Sequence, residues 1–211
     1  MKGLFITFEG PDGSGKSTQL NLLKNYLINN GFDAITTREP GGTYISDQIR
    51  QILLNPEHKE LKDQTEVLLY AASRAQLVHE RIVPALEEGK IVLCDRFIDA
   101  SIAYQSYGLR IDKSLVMKVN EFASSNLKPD RTYLFHLAPE IAISRLNNRS
   151  QKDFKGLDRI EQKEIKYHER VLSGFQEIAY ENPKRILTID GNLPIDYIFQ
   201  IIKSDFQLLI K

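Results

Sequence analysis

Residues Gly10-Pro11-Asp12-Gly13-Ser14-Gly15-Lys16-Ser17 match the pattern G-x-x-x-x-G-K-[ST] at every fixed position. This feature constrains the fold most, because its chemistry works only between a strand and a helix. The flanks fit. Residues 4–9 are apolar and aromatic and read as a short buried strand. Leu20, Leu23 and Leu27, with Leu22 and Tyr26, then repeat at helical spacing. In that geometry the loop's backbone N–H groups form an anion nest at the positive end of a helix. Glycines at 10, 13 and 15 let the backbone take positive φ and approach phosphates without a Cβ in the way. Lys16 can reach the β- and γ-phosphates, and Ser17 can ligate Mg²⁺.

The rest of the chain alternates strands and helices. Strands are expected at 33–38, 91–94, 132–137 and 185–189, several of them continuous apolar runs such as Ile91-Val92-Leu93-Cys94. A short helix carries Ile45, Ile49, Ile52 and Leu53 as its apolar positions, with Arg50 on it. The longest helical pattern runs over 64–88, with Val67, Leu68, Ala71, Ala75, Val78 and Ile82 in register, a break or kink at Pro84 and an end at Gly89. A short segment over 99–107 and helices over 113–124, 139–149, 159–180 and 194–209 follow. Residues 150–158 lack an apolar period and read as an exposed flexible loop. Five strands, each followed by a helix, predict an α/β fold with a parallel sheet covered on both faces, whose ligands lie beyond the carboxyl ends of the strands. The 211 residues suit one domain with a lid, here placed at about 145–160.

Lys plus Arg and Asp plus Glu both total 28. A balanced chain does not grip nucleic acid or an acidic membrane through bulk positive field. The single cysteine, Cys94, rules out an intrachain disulfide, lies in an apolar run as a buried structural thiol would, and favours a reducing compartment. No run approaches the ~20 apolar residues of a membrane span, and the N-terminus is charged too soon for a signal peptide. The four histidines have no ligand spacing, so a zinc site is not expected.

Four groups of residues follow the strands. Asp95-Arg96 stands where a carboxylate can lie beside the nucleotide's Mg²⁺; the bland alternative is a helix cap and a surface arginine. Arg38, Arg50 and Arg96 can converge on one sheet edge, where guanidinium forks suit a second phosphate. Tyr70 with Arg74, and Ser101 with Gln105, are pairs four apart on helix faces and can build a base pocket. From spacing alone, however, Tyr70 reads as a core aromatic and Arg74 as a surface charge. Arg145, Arg149 and Arg159 surround the 150–158 loop, where a closing arginine can stabilise a migrating phosphoryl group. Ser14 occupies the fourth variable place of the glycine loop, so the loop itself offers no arginine.

The ordered set FEGPDGSGKST (8–18), TREPGG (37–42), YAASR (70–74), DRF (95–97), AYQ (103–105) and LDR (157–159) closely resembles the bacterial thymidylate kinases, part of the nucleoside monophosphate kinase group of P-loop proteins. The resemblance spans nearly the whole chain. It implies transfer of the ATP γ-phosphate to dTMP, giving dTDP for dTTP synthesis, with Mg²⁺, in a cytoplasmic homodimer built on a five-stranded parallel sheet. It puts ATP on Gly10, Pro11, Asp12, Gly13, Ser14, Gly15, Lys16, Ser17 and Thr18, and the metal on Ser17 and Asp95. It gives Asp12 the 3′-hydroxyl of dTMP and sets Arg38 and Arg96, helped by Arg50, on the dTMP phosphate. Glu39 would stand near the metal and phosphates, Tyr70 would stack on thymine, Arg74 would bond its O4 edge, and Ser101 and Gln105 would read the rest. Lys16, Asp95, Arg96 and the lid arginine Arg149 would carry the chemistry. Phe97 and Ala100 depart from the Tyr and Ser frequent in the family, and the choice of Arg149 over Arg145 and Arg159 stays open. For adenine, the Asp190-Gly191-Asn192 turn is the candidate. Two other readings compete: a kinase for another nucleoside monophosphate or a deoxynucleoside, and a guanine-nucleotide switch. The switch's Asn-Lys-x-Asp motif fails at Asn126-Leu127-Lys128-Pro129-Asp130, although Asp153-Phe154-Lys155-Gly156 matches the short string Asp-x-x-Gly.

Overall fold

The computed structural model describes residues 3–153 and 156–210, with the backbone alone over 149–153. Strand β1 (Leu4–Glu9) forms the centre of a five-stranded sheet with β2 (Ala34–Arg38), β3 (Ile91–Asp95), β4 (Arg131–His136) and β5 (Ile186–Asp190). The order is β2-β3-β1-β4-β5 and every pairing is parallel. The period of two sorts the side chains. Ile6, Phe8, Ile91 and Leu93 pack beneath Leu20, Leu23 and Leu27 of α1 (Lys16–Asn29) and Ile198, Ile202 and Phe206 of α9 (Ile195–Leu209). Phe5, Val92 and Cys94 face the other way, against Leu77, Val78 and Ile82. A third cluster joins Leu134 and Ile186 to Tyr167, Val171 and Phe175 of α8 (Ile165–Glu181).

The register brings the strand ends together. Phe8 pairs with Asp95, Arg38 with Asp95, and His136 with Asp190. The crossover from β1 runs to β2 on one side of the sheet and that from β3 runs to β4 on the other, so the crevice opens at the carboxyl edge beside β1 and β3.

Several elements differ from expectation. The run expected over 64–88 is α3 (Asp63–Leu77), a π-helical turn over Val78–Ile82 and α4 (Val83–Glu87). Pro84 has no N–H, and just before it the Val83 N–H bonds five residues back, to Val78. Leu68 of α3 is exposed, and of the apolar positions in α2 (Tyr44–Leu54) only Leu53 is buried. The segment expected at 99–107 is α5 (Ile98–Ser101) followed by a π-helical stretch over Ile102–Gly108. Helix α6 (Lys113–Ser124) is as expected.

The largest correction concerns the lid. Helix α7 (Pro139–Asp153) carries regular backbone through 150–153, where a loop was expected. A helix begun by the apolar residues of 139–146 continues through Ser, Gln, Lys and Asp without needing a buried stripe. Conversely, Arg159 is not helical. Asp158 accepts from the N–H groups of Ile160 (2.9 Å) and Glu161 (2.8 Å), which holds a turn, and α8 starts only at Ile165.

Candidate active site

The glycine loop joins β1 to α1. Gly10 sits at φ 128° and passes so close to β4 that a Cβ there would lie 2.4 Å from the Phe135 carbonyl oxygen. Gly15, at φ 94°, precedes α1 without a side-chain cap, so the first N–H groups of the helix face the loop's concavity. The Lys16 ammonium folds across the loop and donates to the Pro11 carbonyl at 2.8 Å. Burial, and then the Arg96 charge, lower its pKa.

Ser17 Oγ donates to Asp95 Oδ2 at 2.6 Å, which joins the first turn of α1 to the end of β3. The two proposed Mg²⁺ ligands therefore stand together. Among the described residues no group of three or more His, Cys, Asp and Glu side chains gathers elsewhere as a metal cage. A hydroxyl and one carboxylate, with phosphate and water supplying the rest, suit Mg²⁺.

Arg96 takes the left-handed conformation, φ 71°. Its neighbours hold it there: its N–H bonds Phe8 O (2.9 Å), the Cys94 thiol donates to its carbonyl (3.0 Å), and the next N–H, of Phe97, donates to Glu9 Oε1 (2.7 Å). The guanidinium lies 3.0 Å from Asp12 Oδ1 and over the Tyr104 ring. Against the cost of burial, Asp12, Tyr104 and Asp95 keep its pKa high. Its Nη1 is buried without a hydrogen-bond partner, an arrangement that fits an anion. Glu9 is fully buried; burial, then Asp99, raise its pKa to about 8.

Beside Arg96 opens a cleft with about 520 Å³ of empty space, part of it open to solvent. Every expected acceptor residue except Arg38 lines it: Asp12, Glu39, Arg50, Tyr70, Arg74, Arg96, Ser101 and Gln105. Arg38 is held outside the lining by Asp47, 3.0 Å away, with its side chain 53% exposed. Arg50 donates to Pro40 O at 2.8 Å. The surface position that spacing gave Arg74 is wrong. It is 2% exposed, with Nε donating to Glu39 Oε2 (2.8 Å), Nη2 to Phe97 O (3.2 Å) and Nη1 to Asn120. Burial raises the Glu39 pKa and Arg74 opposes the shift. Glu39 thus anchors Arg74 at the cleft wall. Tyr70, raised in pKa by burial and then Glu66, forms part of the lining as a partly buried ring.

The three candidate lid arginines separate. Arg145 Nη1 donates to Gly13 O (3.4 Å) and to Gly191 O (3.0 Å), so it lies on the glycine loop. Arg159 donates to Leu53 O (2.8 Å) and pairs with Glu66 (2.6 Å), behind the acceptor cleft. The Arg149 side chain is outside the described residues, as is all of Phe154 and Lys155. The turn at Gly191 adjoins the loop: a Cβ there would lie 3.3 Å from Ser14 O.

Sequence reasoning missed Glu66, Asn120, Tyr104, Asp158 and Ile160. Glu66 stands four residues before Tyr70 on α3, a spacing that places both on one face. Tyr104 and Asp158 stand within the AYQ and LDR runs but carried no assigned role, and Asn120, distant in sequence, gave no local signal.

A family model for thymidylate kinase matches residues 8–202. A thymidylate kinase of Exiguobacterium sp. strain AT1b is 54% identical over 198 residues, 94% of this chain and 91% of that protein. That of Exiguobacterium sibiricum is 52% identical over 211 residues, 100% of this chain and 97% of the relative. The crystal structure of thymidylate kinase from Ehrlichia chaffeensis matches with a TM-score of 0.78 at 33% identity, over 98% of this chain and 99% of that one.

Proposed function

The chain belongs to the thymidylate kinase family, and from that premise we propose how its own residues transfer the ATP γ-phosphate to dTMP. The observation that carries the reading is the buried, unpartnered Nη1 of Arg96, set between the glycine loop and the cleft. It supplies the positive charge a second phosphate needs within reach of the first.

ATP phosphates rest on the N–H groups of residues 10–18, and Lys16 moves from the Pro11 carbonyl onto the β- and γ-oxygens. The dTMP phosphate meets Arg96, with Arg50 beside it. Arg38 joins if it exchanges Asp47 for the phosphate. Asp12 orients the sugar and Tyr70 stacks on the base. Arg74, pinned by Glu39 and Asn120, directs its remaining N–H at the thymine O4 edge. Mg²⁺, held by Ser17 and Asp95, would neutralise charge on the phosphates when bound. No general base is needed, because the attacking phosphate oxygen is already anionic; positioning and charge stabilisation do the work. Arg149 completes the cationic cover of the migrating group.

Exposed apolar side chains on α2, α3 and α6, among them Tyr44, Ile45, Leu68 and Phe122, support a homodimer through that layer, since α2 packs on α3 and α3 on α6. No helix among the described residues is long and apolar enough to cross a membrane. A cytoplasmic protein working in dTTP synthesis fits the reading. The test is a coupled ADP assay: ADP forms only with ATP, Mg²⁺ and dTMP together, and ADP release independent of dTMP contradicts the reading.

A further inference from the structure

Behind the acceptor cleft runs a buried polar chain that the reading above leaves unused. Glu66 is fully buried on α3 and does not line the cleft. One carboxylate oxygen accepts from Arg159 Nη2 at 2.6 Å, and the other accepts from Gln105 Nε2 at 3.2 Å. At the far end of the Gln105 amide, Oε1 accepts from the Ser101 hydroxyl at 3.0 Å. Gln105 and Ser101 do line the cleft.

A charged carboxylate only accepts hydrogen bonds. Arg159, itself tied to the Leu53 carbonyl, holds the Glu66 carboxylate in place. Gln105 must therefore turn its NH₂ end to Glu66, which removes the two-fold ambiguity of an amide's shape. The carbonyl end is left at the Ser101 side, with one lone pair taken and one available.

We propose that Glu66 is a positioning residue for base selection: by holding the NH₂ of Gln105 it makes the cleft present an acceptor, and so favours a pyrimidine carrying an imide N–H over one whose ring nitrogen is itself an acceptor. Thymine and uracil carry that N–H; cytosine carries a lone pair. This rests on the cleft being the acceptor site proposed above. Facing two acceptors costs roughly ten- to a hundredfold in affinity.

The experiment measures kcat and KM for dTMP and dCMP, with KM for ATP and Tm, in wild type, in Glu66→Gln, and in the exchange Glu66→Gln with Gln105→Glu. In Glu66→Gln the amide at 105 is released. KM for dTMP rises about tenfold with kcat and the ATP KM nearly unchanged, and the dTMP to dCMP ratio of kcat/KM falls about tenfold. In the exchange variant a carboxamide at 66 donates to a carboxylate at 105, which still offers an oxygen to the base, and the ratio recovers. A ratio unmoved in Glu66→Gln, or unrecovered in the exchange, overturns the proposal. If Glu66→Gln does not fold, the exchange decides alone, because it keeps the charge count of the buried cluster and leaves a carboxamide oxygen at 66 to accept from Arg159. A third arm needs no variant: 5-methyl-dCMP competes with dTMP on wild type at least about tenfold more weakly than dTMP itself, and equal competition also overturns the proposal. Wild type that never turns over dTMP contradicts the proposed function instead.

Discussion

The donor loop and the acceptor cleft sit side by side at the sheet edge and are built by opposite means. The loop is one contiguous run whose binding groups are mostly backbone N–H, and its one cation, Lys16, rests on a carbonyl of the same loop. The cleft draws side chains from the segment after β2, α2, α3, the turn after β3, α5, the π-helical stretch and residues 158–160, with Asp12 from the loop itself. Its walls contain buried ion pairs, Arg74 with Glu39 and Arg159 with Glu66. Breaking a buried pair leaves an uncompensated charge, whereas removing a cation that only folds over a loop does not. Donor-side changes should therefore cost activity at little cost in stability, and cleft-wall changes should cost both.

The strongest test of that contrast lies in the proposed lid arginine. Arg149→Ala is expected to lower kcat about a thousandfold or more, with KM for both substrates and Tm nearly kept, as for an interaction made in the transition state. Steady-state kinetics of Arg145→Ala and Arg159→Ala sharpen the assignment. If Arg149→Ala matches wild type while Arg145→Ala loses kcat, the cationic cover belongs to the arginine already lying on Gly13. Next comes Lys16→Ala, expected to lower kcat/KM about a hundred- to a thousandfold while Tm shifts by only a few degrees. A large loss of Tm would break the comparison. Arg74→Ala should behave oppositely, losing about 3–5 kcal/mol of unfolding free energy in denaturant titration because Glu39 is left buried and unpaired. Glu9→Gln comes last because its effect is small at acid pH and appears only as pH rises. The folded chain holds the Glu9 proton up to about pH 8, while the unfolded chain releases it near 4.5. Stability from this group is full below the lower value and is lost as pH rises towards the higher. Thermal melts should show wild type losing Tm relative to Glu9→Gln between about pH 5 and pH 8, and a constant difference across that range would contradict the buried, protonated carboxyl.

The same contrast explains what could be read in the sequence. A contiguous loop with a strand before it and a helix after it is legible, because its chemistry needs no partner far along the chain. So are five parallel strands, whose apolar runs require cover on both faces. Arg74 was misplaced by spacing alone, because its partners Glu39 and Asn120 lie 35 and 46 residues away. Glu66 was missed for the same reason: Gln105 and Arg159 reach it from 39 and 93 residues away. The helix through 150–153 was read as loop because its residues Ser150 to Asp153 show no apolar period. Arg159 was assigned to a helix because the Asp158 turn competes with helix only through its own side chain.

The measurement that bears most directly on the central claim is ADP production with ATP and Mg²⁺ across an acceptor panel of dTMP, dUMP, UMP, CMP and AMP. The proposed function predicts robust turnover of dTMP, with CMP and AMP poorest. Robust turnover of another monophosphate with none on dTMP would contradict it.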